Sequence, residues 1–217
     1  MISPITPTNE TQRLNEVKSY ALLDTLPEEE YDNITSLIAA VCDTPISLVT
    51  ILDSDRNFLK SHHGVPFNEA PRISSFCGHA ILEKEDLFIV DDARRDERFH
   101  DNPHVLNDSA VFYAGAPLRT KNGYPLGTLC VFDTKPRKLS NKQKKFLIMM
   151  AKQVVNLFEL HKNNLRLQNI KEILLRRNED LKQFANAVSH DLKSPLANIT
   201  SLARLLKDEY HTKFDEA

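Results

Sequence analysis

Glycine and proline are scarce over a large part of this sequence. The chain of 217 residues has 5 glycines, all between Gly64 and Gly127, and residues 137–194 contain neither glycine nor proline. Because these two residues are the strongest helix breakers, so long a stretch without them predicts one continuous helix, far longer than an ordinary globular helix. The sequence therefore divides into an N-terminal part that contains the turns and a helical C-terminal part.

Long apolar runs are also absent. No run approaches about 18 consecutive apolar residues, so no membrane span is predicted, and the N-terminus has neither the basic flank nor the apolar core of a secretory signal. Cys42, Cys77 and Cys130 are odd in number and widely spaced, which argues against a disulfide framework and favours a reducing, cytoplasmic setting. A hydrophobic content of 41% with a net charge of −2 excludes disorder for most of the chain.

The charges divide at nearly the same place as the helix breakers. Residues 1–136 contain 12 Lys and Arg and 21 Asp and Glu, whereas residues 137–217 contain 16 and 9. The basic residues of the second part are interspersed with acidic ones, including Glu172, Glu179 and Asp180. This pattern is typical of a solvated helix exterior, so no nucleic-acid partner is predicted.

The first part of the chain alternates helical and strand patterns. Apolar residues at helical spacing predict a lead helix over residues 10–23 and a second helix that ends near Asp43, with Thr25 as its N-cap and Pro27 in its first turn. The β-branched run over residues 46–53 predicts a central strand.

Further strands are predicted after this run, with one short helix over residues 75–82. Lys121-Asn122-Gly123 predicts a hairpin with positive φ at two turn positions. These elements together predict an α+β fold with a mostly antiparallel sheet. The four further strands are predicted over residues 57–61, 87–90, 110–119 and 124–132.

The C-terminal part carries two successive apolar stripes. Ser140 is the predicted N-cap of the long helix, whose first stripe reaches His161. The second stripe repeats every seven residues, which predicts a coiled coil of about three heptads and hence a homodimer. The alternative is a single helix packed along its own domain. The seam positions are Leu167, Ile170, Leu174, Arg177, Leu181, Phe184 and Val188.

His190 lies beside Asp191 where the heptad register shifts from Val188 to Leu192 and Pro195 follows. The register shift and the proline each predict a local distortion of the helix. In either register the imidazole faces solvent. A neighbouring carboxylate can keep one ring nitrogen protonated and leave the other free to attack, so the pair suits nucleophilic chemistry. The alternative is a solvated surface histidine.

Residues 184–199, FANAVSHDLKSPLANI, closely resemble the phosphoacceptor box of sensor histidine kinases. The resemblance covers about residues 181–210. It implies that His190 accepts the γ-phosphoryl group of ATP and later passes it to an aspartate on the receiver domain of a response regulator. It further implies that Asp191 orients or deprotonates the imidazole. Ser194 stands where many members have Thr or Asn that assist dephosphorylation, so this residue departs from the family pattern.

The same resemblance implies parts that this sequence does not contain. The family needs a second helix to complete a four-helix dimer and a domain that binds ATP and Mg²⁺, whereas no phosphate-binding glycine motif occurs here. The chain therefore resembles the N-terminal portion of a kinase, is expected to hold no cofactor of its own and is not expected to be active alone. Its implied partners are a second copy of the chain, the ATP-binding domain and the receiver domain.

Four stretches of the first part resemble a GAF sensory domain. The resemblance covers about residues 21–161 and implies an antiparallel sheet with helices on its back and, in many members, a small-molecule pocket on its other face. The ligand varies across the family and is not implied. The four stretches are residues 75–81 (SFCGHAI), 90–93 (VDDA), 112–118 (FYAGAPL) and 126–131 (LGTLCV).

Five residues are candidates for that pocket: Cys77, His79, Asp92, Arg98 and Tyr113. A metal or haem site at the first two is conceivable, but no ligand spacing is diagnostic, so no metal is predicted. For Cys77, and likewise for Cys130, the alternative is a small buried apolar side chain. The last three are polar groups that either line the pocket or fix a loop.

These observations predict four segments: a lead helix over residues 1–20, a GAF domain over 21–160, a coiled-coil signalling helix over 161–183 and a truncated first phosphoacceptor helix over 184–217. The predicted fold class is α+β, a GAF-type antiparallel sheet flanked by helices and followed by a long coiled-coil helix. The predicted function is the sensing and phosphoacceptor portion of a cytoplasmic two-component histidine kinase, whose GAF domain senses a small ligand or partner. The alternatives are a non-catalytic GAF module for dimerisation or ligand binding, and a GAF redox or haem sensor.

Overall fold

The computed structural model describes residues 1–214, with side chains through residue 207. The chain divides into two compact units, Met1–Asn163 and a second unit that begins at Asn164. Two short 3₁₀ turns, Arg72–Ser74 and Ala93–Arg95, accompany the regular elements. These elements are α1 (Glu10–Ser19), α2 (Glu29–Cys42), β1 (Ile46–Leu52), β2 (Arg56–His63), β3 (Glu69–Pro71), α3 (Phe76–Ala80), β4 (Phe88–Val90), α4 (Pro103–Leu106), β5 (Phe112–Arg119), β6 (Pro125–Asp133) and α5 (Asn141–Phe214).

The first unit is built on one antiparallel sheet with the strand order β3-β2-β1-β6-β5-β4. β1 lies between β2 and β6 and is buried from Ser47 onward, as expected for a run rich in β-branched residues. The predicted central strand and the α+β fold class are confirmed. β3 is a short edge strand that the sequence pattern did not predict.

One face of the sheet packs against helices. Val49 and Ile51 of β1 share a buried cluster with Val17 of α1, Ile38 of α2 and Val154 of α5. The lead helix therefore belongs to the same core as the sheet. The predicted first stripe of α5 is confirmed in part, because Leu147 and Val154 are buried whereas Met150, Leu157 and His161 are only partly buried. The buried face of the helix instead includes Ala151 and Phe158.

The other face carries a second buried cluster. Leu48 and Leu52 of β1 lie in it with Cys130 of β6. Phe76 of α3 stacks on Phe99, with ring centroids 4.1 Å apart, and covers this part of the sheet. Since α3 and the long connections cover this face in place of long helices, the buried side of the sheet here has room for a cavity.

The start of α2 differs from the sequence prediction. The helix begins at Glu29, Glu28 is its N-cap, and neither Thr25 nor Pro27 lies within it. The Thr25 hydroxyl instead donates to the carbonyl of Leu22 and accepts a hydrogen bond from the buried Lys60 ammonium. The predicted cap is wrong because a side chain from β2 engages the hydroxyl.

The β5–β6 hairpin is present, but its turn type differs from the prediction. Only Gly123 of the turn has positive φ, at +83°, and its N–H donates to the carbonyl of Thr120. The Thr120 N–H donates in turn to the carbonyl of Tyr124. This is a three-residue loop with a type I turn and a glycine in the left-handed region, so Asn122 need not adopt positive φ.

A reciprocal cap begins α5 and confirms Ser140 as its N-cap. The Gln143 N–H donates to Ser140 Oγ, and the Ser140 N–H donates to Gln143 Oε1 at 2.9 Å. The Gln143 side-chain amide also donates to the carbonyl of Val41 at 3.0 Å. This capping box therefore ties the start of α5 to the end of α2.

The second unit consists of α5 from Asn164 onward. The helix continues through Pro195, so the predicted distortion does not interrupt it. The last three residues of the predicted phosphoacceptor segment, 215–217, lie outside the described residues.

Candidate functional site

The resemblance places the phosphoacceptor at His190, on the exposed surface of α5. The His190 and Asp191 side chains are 87% and 82% exposed in the single chain. His190 Nδ1 lies 3.3 Å from Asp191 Oδ1. With the proton on Nδ1, this contact leaves the Nε2 lone pair free toward solvent.

Ser194 lies one turn after His190 and is also exposed. Pro195, the next residue, has no N–H, so it cannot donate to the carbonyl of Asp191. The structure thus brings His190, Asp191 and Ser194 together on two consecutive turns, one of which lacks a backbone hydrogen bond.

The apolar seam of the second unit is open to solvent in the single chain. Leu174 is 60% exposed and Leu181 is 67% exposed, and the other apolar seam positions are exposed as well. Large apolar side chains are costly to leave in water, at roughly 25 cal/mol per Å². The exposed apolar positions of the predicted seam are Leu167, Ile170, Leu174, Leu181, Phe184 and Val188.

A separate candidate site is a cavity of about 120 Å³ in the first unit, on the face of the sheet opposite α1 and α2. Its walls come from β1, β2, β3, β6, the segment after β2, α3, and α4 with the loop that follows it. Most of the lining is apolar. The lining residues are Ile46, Leu48, Asn57, Leu59, Val65, Phe67, Ala70, Pro71, Ser74, Ser75, Phe76, Cys77, His104, Ser109, Ala110 and Phe132.

Asn57 is the most informative polar residue of this cavity. Its side chain is 4% exposed, and Oδ1 accepts no hydrogen bond from any described residue. A buried acceptor without a partner costs about 1–3 kcal/mol. A ligand with an N–H or O–H donor would remove this cost, and the surrounding apolar lining would bind its carbon skeleton.

Cys77 is the one predicted pocket residue that lines this cavity. Its Sγ lies 3.8 Å from Cys130 Sγ, and the hydroxyl of Tyr113 donates to it at 3.6 Å. All three side chains are buried. Tyr113 lies beneath the cavity wall in contact with the two thiols.

His79 and Arg98 have partners outside the cavity. His79 Nε2 lies 3.0 Å from the carbonyl oxygen of Ile2, and burial lowers the pKa of this imidazole. Arg98 pairs with Asp96 at 2.7 Å and lies over the ring of Phe88. Both residues fix the loops around the second core cluster.

Asp92 also has a loop partner. Its carboxylate accepts from the backbone N–H and the guanidinium of Arg94, and these hydrogen bonds lower the pKa of Asp92. It caps the 3₁₀ turn Ala93–Arg95 on the outer surface of the unit. The structure therefore does not bring His79, Asp92 and Arg98 together with Cys77.

The sequence analysis assigned none of the polar cavity residues Asn57, Ser74, His104 and Ser109 to the pocket. The alternation of side chains along a strand could have identified Asn57, because Asn57 and Leu59 are two residues apart and so point to the same face of β2. A polar residue at an inward strand position is worth noting for that reason. No local pattern marks His104, which reaches the cavity from α4.

Within residues 1–207, whose side chains the structure describes, no group of three or more His, Cys, Asp or Glu side chains is arranged to hold a metal ion. The same residues include no helix that is long and apolar enough to cross a membrane. The three cysteines are free thiols.

Comparison with solved structures supports the fold. The GAF domain of a phosphoenolpyruvate-protein phosphotransferase from Coxiella burnetii matches with a TM-score of 0.52 at 12% identity, covering 75% of this chain and 97% of that chain. The GAF domain of the Acinetobacter phosphoenolpyruvate-protein phosphotransferase matches with a TM-score of 0.50 at 16% identity, covering 68% and 93%. At such identities the likeness concerns the fold alone.

A curated relative and a family model also match this sequence. The cyclic di-GMP phosphodiesterase PA2567 of Pseudomonas aeruginosa is 41% identical over 138 residues, which are 63% of this chain and 23% of that protein. The chain thus spans less than a quarter of that relative. The family model of the GAF domain matches residues 26–157, more than half of the chain. The chain therefore belongs to the GAF domain family.

Proposed function

We propose that this chain is the sensing and phosphoacceptor portion of a cytoplasmic two-component sensor histidine kinase, with His190 as the phosphoacceptor. The observation that carries the proposal is the His190–Asp191 pair, solvent-exposed on α5 within a segment that closely resembles the phosphoacceptor box. A nucleophile that must meet an ATP-binding domain and then a receiver domain has to be reachable from solvent.

The pair suits phosphoryl transfer at nitrogen. The carboxylate of Asp191 accepts the Nδ1–H of His190, so Nε2 keeps its lone pair and attacks the γ-phosphorus of ATP. The N–P bond forms as the bond between phosphorus and the β–γ bridging oxygen breaks, and ADP leaves. The imidazolium formed is stabilised by the carboxylate. In the second transfer a receiver aspartate oxygen attacks phosphorus and the N–P bond breaks.

Dimerisation is part of this proposal. The exposed apolar seam of the second unit needs a partner, and heptad spacing matches a second helix of the same kind. The ATP- and Mg²⁺-binding domain and the receiver domain are the other implied partners.

In this proposal the first unit senses a small molecule. The cavity beside α3 combines an apolar lining with the unpartnered acceptor of Asn57, which favours a small ligand with one hydrogen-bond donor. Ligand binding would bias the presentation of His190 and so control its phosphorylation.

The experiment supplies a histidine-kinase ATP-binding domain in trans with γ-labelled ATP and compares three chains. We expect the wild type and His100→Gln, a variant at an exposed histidine of the first unit, to be labelled and His190→Gln to remain unlabelled. The label should be lost in acid and kept in alkali, as a phosphoramidate requires. Equal labelling of the wild type and His190→Gln would contradict the proposal.

The cavity favours a second candidate, a non-catalytic ligand-binding GAF module that controls another output. The relationship to a phosphodiesterase supports it, since the match covers only a GAF-sized part of that protein. If no chain is labelled while small molecules that bind the cavity raise the unfolding temperature, this second function is favoured.

A further inference from the structure

We propose that Cys77 and Cys130 form a reversible disulfide when a peroxide enters the cavity, which makes the first unit a thiol redox switch. The inference concerns a modification site separate from His190, and it does not depend on the proposed kinase function.

The two sulfur atoms are placed for bond formation. Cys77 lies on α3 and Cys130 on β6, 53 residues apart in sequence, yet their Sγ atoms are 3.8 Å apart. A disulfide needs a separation of about 2.05 Å. The remaining approach of about 2 Å is within reach of side-chain rotation and a small shift of α3, a five-residue helix.

The surroundings of Cys77 favour its thiolate. Burial opposes the charge, but hydrogen bonds from Cys130, Thr128, Tyr113 and Thr50 outweigh it and lower the pKa of Cys77 below its ordinary value. For Cys130, burial and the neighbouring thiolate raise the pKa. The thiolate is the reactive form, so Cys77 is the attacking thiol and Cys130 keeps its proton.

Access to the cavity also indicates that Cys77, and not Cys130, reacts first with the oxidant. Cys77 belongs to the cavity wall, whereas Cys130 lies behind it. A peroxide of the size of H₂O₂ fits a cavity of about 120 Å³ and meets Cys77 first. Geometry and acidity thus agree on which thiol reacts with the oxidant.

The chemistry proceeds in two balanced steps. The Cys77 thiolate attacks one oxygen of H₂O₂, the S–O bond forms as the O–O bond breaks, and the hydroxide that leaves takes up the Cys77 proton released earlier to give water. Cys130 Sγ then attacks the sulfenic sulfur, the S–S bond forms as the S–O bond breaks, and the leaving hydroxide takes the Cys130 proton to give a second water. Two thiols are oxidised, one peroxide is reduced, and a dithiol reverses the change by exchange.

The bond would alter the cavity. In the reduced protein Cys130 Sγ lies 3.7 Å from the carbonyl oxygen of Leu48 and 3.8 Å from Cys77 Sγ, so its single proton can be donated to either acceptor. The Tyr113 hydroxyl donates to Cys77. In the disulfide Cys130 has no proton to donate and Cys77 can no longer carry a negative charge. Because Leu48 and Cys77 both line the cavity, oxidation changes its wall and hence its ligand affinity.

Cys42 provides an internal control. It is equally buried, but it lies on α2 in the cluster on the opposite face of the sheet, and no other described sulfur contacts it. Burial raises the pKa of Cys42 to about 11. It should therefore resist oxidation under conditions that oxidise the Cys77–Cys130 pair.

The test exposes the full chain to H₂O₂, denatures it in the presence of an alkylating agent, and analyses the peptides by mass spectrometry. We expect a peptide pair joined at Cys77 and Cys130 with the loss of two hydrogens, reversed by dithiothreitol. Cys77 should lose its free thiol about tenfold faster than Cys42 or more. In Cys130→Ala, dimedone should trap a sulfenic acid at Cys77, while Cys42→Ala should behave like the wild type.

The wild-type measurement alone decides the matter if a variant does not fold. Free thiols at Cys77 and Cys130 under peroxide that oxidises the exposed Met149 would overturn the proposal. Oxidation of Cys42 at the same rate as Cys77 would overturn it as well, because the reaction would then be that of any buried thiol.

Discussion

The guanidinium of Arg13 on α1 donates a hydrogen bond to the carbonyl oxygen of Leu52, the last residue of β1, across 2.8 Å. Arg13 is fully buried, and its other nitrogens form a two-point pair with Glu10 at 2.7 Å. Arg72 donates to the same carboxylate and to the carbonyl of Asp53. One carboxylate thus accepts hydrogen bonds from two guanidinium groups where the lead helix meets the β1–β2 turn.

Glu10→Gln should destabilise the protein at neutral pH and flatten its acid dependence. Partial burial would raise the pKa of Glu10, but hydrogen bonds and charge from Arg13 and Arg72 lower it from 4.5 to about 2. A lowered folded-state pKa contributes stability above pH 4.5 that is lost as the pH falls toward 2. Allowing for solvent screening, we expect a loss of about 2 kcal/mol at pH 7 in urea unfolding.

Glu97→Gln is the matched control, because Glu97 is exposed and forms no ion pair among the described residues. It should leave the unfolding free energy within about 0.5 kcal/mol of the wild type at pH 7 and throughout the acid range. An unchanged acid dependence in Glu10→Gln would contradict the assigned role of the cluster.

Gly127→Ala should be among the most damaging small substitutions in the first unit. Gly127 lies opposite Ile51 in the β1–β6 ladder, and an added Cβ would lie 1.8 Å from the carbonyl oxygen of Thr50. Since this neighbour is strand backbone, it cannot rotate away, and we expect a loss of about 3 kcal/mol or more.

The control for this substitution is Gly123→Ala. Gly123 has positive φ, but an added Cβ would meet nothing within 4 Å. Its cost should be about 1 kcal/mol, from the backbone conformation alone. Chemical unfolding of both variants would refute the prediction if their losses were equal.

The features predicted from the sequence depend on contacts that are near in the chain. The β-branched run of β1 and the cap at Ser140 are local signals, and the structure contains both. The first stripe of α5 is a periodic signal, and two of its predicted members, Leu147 and Val154, are buried. The heptad spacing of the seam is also a periodic signal, although the helix that would pack against it belongs to a second copy of the chain.

The features that were missed depend on contacts between residues distant in the chain. Thr25 is not a cap because Lys60, 35 positions later, donates to it. The contact of Cys77 with Cys130 spans 53 positions. The unpartnered acceptor of Asn57 becomes visible only when the cavity is formed. Such pairings follow from strand order and register, which composition and spacing do not specify.

Leu174→Glu should weaken self-association, whereas Leu175→Glu should not. The two leucines are 60% and 61% exposed in the single chain, so exposure cannot distinguish them. Heptad position does, because Leu174 falls on the predicted seam and Leu175 beside it. A glutamate in the seam places like charges at the helix contact, and we expect a dimer dissociation constant raised about tenfold or more.

Arg177→Leu tests the same seam with a substitution that should strengthen the dimer. Arg177 is the one polar residue among the seven seam positions, and Arg176 is its exposed neighbour off the seam. Arg177→Leu should tighten the dimer because it completes the apolar seam, whereas Arg176→Leu should leave the dissociation constant within a few-fold of the wild type. Light scattering over a concentration series measures all four variants. If the wild type is a monomer at micromolar concentration, or if both members of a pair change alike, the helix does not associate through these positions.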